Sequence, residues 1–137
     1  QTAKAIAAQV QKTADELRSH ASPSAQAIAA RLEAARQAFL DVAEFTVARG
    51  KSEPNAVYAG SVPYLRLAGL LVAGWQMGRA WLVADAQAAA GNDAPFMQAK
   101  QVTARFFADH LLSQAPALRD AIVHGAESVM ALPMDAF

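Results

Sequence analysis

The chain has 137 residues, 54% hydrophobic and 18% charged, with twelve basic side chains balancing twelve acidic ones and no cysteine. This composition excludes a disordered chain, the basic surplus that nucleic acid or a polybasic membrane anchor needs, and any disulfide, thiolate or cysteine-ligated metal chemistry. A chain of this length buries roughly two-thirds of its unfolded surface, enough for one domain over 1–137, and its alanine content, about a quarter of all residues, favours helix.

The chain opens on QTAKAIAAQVQ, with no initiator Met and no signal-peptide layout. That start lies inside a helical pattern, which suggests a fragment or a processed product. Ile6, Val10, Ala14 and Leu17 recur at helical spacing, so a first amphipathic helix is expected over 2–20. Ser22 and Pro23 then read as an N-cap and first-turn proline. The second helix carries Ile28, Leu32, Ala35, Phe39, Val42 and Thr46 on one stripe and ends at Arg49-Gly50, with Gly50 as its C′ residue. The stretch GKSEPNAVYAGSV, 50–62, is read as the one long connection, because its glycines, Pro54 and Asn55 break helix. A third helix starts near Ser61-Val62-Pro63 and runs to about Ala90, where Gly91-Asn92-Asp93 stops it. The fourth starts at Asp93 and Pro95, with Phe96, Lys100, Thr103, Phe107 and Leu111 as its stripe. A shorter fifth helix spans about Ala115 to His124. Gly125 interrupts it, a final turn or two follows, and Pro133 ends any helix. No stretch alternates as a strand would, so the fold class is all-α: a four-helix-bundle-like domain with an additional short C-terminal helix.

The third helix contains the most apolar stretch, YLRLAGLLVAGWQMGRAWL. A membrane span needs about 20 apolar residues, but Arg66, Gln76 and Arg79 interrupt this one and Asp85 follows soon after it. A bundle's central helix is the better reading. Gly74 and Gly78 lie one turn apart on one face, where small residues let another backbone approach closely. Trp75 and Trp81 read as core or interface anchors whose indole N–H groups want partners. Together with Tyr64, these four residues are the helix-packing or interface candidates.

The chemistry-bearing patterns are weaker. Glu16/His20 and Asp120/His124 are i, i+4 pairs that together offer four metal ligands, but each is also an ordinary helix-surface pair, and no Glu-x-x-His of a di-metal bundle occurs. His110 beside Asp109 builds no triad. The glycines of AGLLVAGWQMG follow no strand, so they form no dinucleotide fingerprint. No residue is assigned a catalytic, cofactor-binding or metal role.

Three phrases, PYLRLAGLLVAGWQMGRA, QAKQVTARFFADHLLSQA and HGAESVMALPMDAF, in that order over 62–137, resemble the C-terminal extension domain of bacterial acyl-CoA dehydrogenases. The resemblance is to the long-form branch that includes 3-methylmercaptopropionyl-CoA dehydrogenase. Residues 1–50 are similar only in their alanine-rich amphipathic character. The resemblance implies a cytoplasmic flavoenzyme that oxidises an acyl-CoA to the 2,3-enoyl-CoA. In that family a glutamate takes the α-proton, FAD takes the β-hydride, and an electron-transfer flavoprotein accepts the electrons. It also implies that the glutamate and the FAD and CoA contacts lie in core domains preceding this extension. Glu127 is therefore not that base, and the chain is expected to be non-catalytic, packing on the dehydrogenase core of the same polypeptide or at a second subunit. Ser113 departs from the proline common at its place, which loosens the expected turn there. The alternative is a freestanding amphipathic bundle on lipid or granule surfaces, similar to phasins.

Overall fold

The computed structural model describes residues 2–137, and helix accounts for every regular element among them. α1 (Thr2–Arg18) and α2 (Pro23–Arg49) form a hairpin. α1 buries Ala7, Val10, Thr13, Ala14 and Leu17 at three- and four-residue spacing, which is the geometry of one helix face. Its register against α2 is antiparallel. Arg18 grips the Glu33 carboxylate with two N–H groups (2.9 and 3.1 Å), and Arg36 Nε donates to the Ala7 carbonyl (2.9 Å). Ser22 stands at the N-cap of α2 and Pro23 in its first turn, but the Ser22 side chain makes no capping bond.

Gly50 is not a left-handed C′ glycine: it stays right-handed at φ −59° and its N–H bonds the Thr46 carbonyl. The connection 50–62 holds a helix of its own, α3 (Pro54–Ala59). Pro54 does not break structure there. It opens the first turn, where its missing N–H costs nothing. Gly60 then leads directly into α4 (Ser61–Ala89).

α4 ends in a Schellman turn: Asn92 N–H bonds the Gln87 carbonyl, Gly91 N–H bonds that of Ala88, and Gly91 takes φ +79°. Asp93 follows in the left-handed region, and its carboxylate accepts from Phe96 N–H to cap α5 (Ala94–His110). The predicted stripe of α5 is one residue out of phase. Phe96, Lys100, Thr103 and Leu111 are exposed and Phe107 is half-buried, whereas Ala104 and Ala108 are the buried positions. A 3-10 turn (Leu112–Gln114) links α5 to α6 (Ala115–Val129), which passes through Gly125 without interruption. Ser113 Oγ donates to the Asp109 carbonyl at this junction. A second 3-10 turn (Met134–Ala136) follows Pro133.

α2 and α4 are the long antiparallel pair at the centre. Phe39 meets Tyr64, Leu32 meets Gly78, and Ser24 meets Trp81. α1 covers the C-terminal half of α4, and α6 covers its N-terminal end, where Ile122 sits against Gly60. α5 packs on both α2 and α4. The core is built from Val10, Leu17, Ile28, Leu32, Leu67, Leu71, Leu112 and Ile122, with alanines filling the close approaches. α4 is long and apolar enough to cross a membrane by length and composition. In the fold, however, its line Leu67, Leu71, Gly74, Gly78, Trp81 and Ala84 is buried by its neighbours.

Candidate packing and interface site

The five sequence-predicted residues share one helix but meet different neighbours. Tyr64, half-buried near the start of α4, meets the Phe39 ring edge-on at 6.1 Å. Burial pushes its phenol above the ordinary value of 10.0, because ionising it there loses hydration. Gly74 lies under the 3-10 turn after α5. A Cβ on it would sit 2.8 Å from both methyl carbons of Leu112. Gly78 lies under the α1–α2 hairpin, where a Cβ would stand 3.1 Å from Leu32 and 3.2 Å from Leu17. These glycines are buried because the leucines use the space a side chain would fill.

The tryptophans tie α4 to the α1–α2 hairpin. Trp75 Nε1–H donates to Thr13 Oγ1 (2.9 Å), the one buried polar side chain among the described residues. Trp81 Nε1–H donates to Ser24 Oγ (3.2 Å), and His20 packs edge-on against its ring at 5.3 Å. Arg79 lies over the Trp75 ring at 5.7 Å. Trp75, Gly78 and Trp81 thus belong to one seam, while Gly74 and Tyr64 belong to the other half of the helix.

The potential metal ligands are not brought together. His20 turns towards Asp85 (3.4 Å), Asp120 binds Arg119 (2.8 Å), and α1 does not touch α6. Among the described residues no group of three or more His, Asp or Glu side chains could hold a metal ion. Arg119 also reaches Asp41 of α2 (2.9 Å), and its guanidinium is raised first by the Asp41 hydrogen bond and then by Asp120. Two open clefts stand out among the described residues. One, about 370 Å³, lies between α1 and α4 over Thr13, Glu16, Trp75 and Arg79. The other, about 920 Å³, runs along α1 and α2.

Sequence reasoning missed an outward face of α4. Val62 and Leu65 are 78% and 77% exposed, and Val72 and Val83 are exposed on the same line, with the exposed Gln76 between these two. Their spacing is helical, and Gly69 between them has nothing within 4 Å of its would-be Cβ. The signal was present as an i, i+3, i+7 pattern, but in a helix apolar nearly all round it is indistinguishable from core.

Residues 6–133 match the family described as "Acetyl-CoA dehydrogenase C-terminal like". The chain belongs to that family. It is also 41% identical over 129 residues to 3-methylmercaptopropionyl-CoA dehydrogenase of Ruegeria pomeroyi. That alignment covers 94% of this chain and 22% of the relative, so the chain spans about a fifth of the relative's length. No solved structure matches. The match reaches back through α1 and α2, which the phrase-level resemblance covered only in character.

Proposed function

We propose that the chain is the non-catalytic C-terminal helical domain of an FAD-dependent acyl-CoA dehydrogenase, working in the cytoplasm. Its task is to pack on the dehydrogenase core of the same polypeptide or at a second subunit. The parent enzyme oxidises an acyl-CoA thioester to the 2,3-enoyl-CoA and hands the electrons to an electron-transfer flavoprotein. The family match supports the parent, and the bare apolar line of α4 supports the packing role. A line that includes Val62, Leu65 and Val72 gains free energy when a partner removes it from water, at roughly 25 cal/mol per Å². Such a patch marks an interaction face. On this reading FAD is held by the parent's core and not by this domain.

The test is Leu65→Asp in the whole polypeptide. The expected result is a lowered Tm for the enzyme with the helical content of the domain retained. An unchanged Tm and unchanged turnover of acyl-CoA would remove the packing role. A yellow, stoichiometric flavin complex of the 137 residues alone would contradict the non-catalytic reading.

A further inference from the structure

We draw no further inference here: the strongest candidate, the bare apolar line of α4 through Val62, Leu65 and Val72, belongs to the packing site already described, and nothing in the structure shows what covers it.

Discussion

The two long faces of α4 are made of nearly the same residue types and have opposite surroundings. The inward face holds Leu67, Leu71, Gly74, Gly78 and Trp81, all buried. The outward face holds Val62, Leu65, Gly69, Val72, Gln76 and Val83, all exposed. Up to Val72 hydropathy does not separate them; beyond it, of these residues, only Gln76 marks the outer face. The difference lies in what meets them: leucines from α1, α2 and the turn after α5 press on Gly74 and Gly78, while nothing approaches Gly69. A glycine at a tight crossing and a glycine on an open face carry the same letter and opposite energetic meaning.

That contrast can be broken by matched substitutions. Leu71→Ala should cost about 2–5 kcal/mol, because it empties a fully buried site, whereas Leu65→Ala in this chain should stay within about 0.5 kcal/mol. Equal losses in urea unfolding would erase the distinction between the faces. Gly78→Leu should destabilise by about 1–3 kcal/mol through overpacking against Leu32 and Leu17. Gly69→Leu should instead raise stability by roughly 0.5–1 kcal/mol from helix propensity alone, and thermal melts of the pair decide the sign. Thr13→Val takes the acceptor from Trp75 Nε1–H and should cost about 1 kcal/mol. In a Trp75→Phe background Thr13→Val should cost less, because no indole N–H is left unpaired, and a Thr13→Val protein as stable as the parent would show the bond contributes nothing.

The smallest effect is at high pH. Tyr64 keeps its proton to a higher pH in the fold than in the unfolded chain. Its contribution is therefore complete below pH 10 and is lost as pH rises through the raised folded value. Tyr64→Phe should flatten the alkaline fall in the urea midpoint between pH 9 and 11. An unaltered slope would mean that the phenol is not protected.

The long helices were legible because their caps and periods agree: Pro23, Gly91 and Asp93 act where their chemistry says they should. The face of α5 was misread because Phe96, Phe107 and Leu111 dominate any count of apolar size. At the seam with α2 and α4 the helix comes too close for large side chains, and Ala104 and Ala108 take the buried places. α3 was hidden because a proline after Glu53 signals a break and a helix start equally well. Gly125 is tolerated inside α6 because one glycine costs only about 1 kcal/mol. Within the candidate site, the spacing of Gly74 and Gly78 is visible in the letters. Leu112, Thr13 and Ser24, which meet α4 there, are contributed by segments far away in the chain, and no local pattern names them.

The tryptophan bonds to Thr13 and Ser24 join residues 62 and 57 positions apart, while α1 and α2 are joined by a short turn. Closing a long loop costs more chain entropy than closing a hairpin, so local pairs tend to assemble ahead of distant ones. In refolding, far-ultraviolet dichroism should therefore recover before indole fluorescence, which reports the seam between α4 and the α1–α2 hairpin as it closes. Simultaneous recovery of the two signals would show that the seam belongs to the nucleus itself.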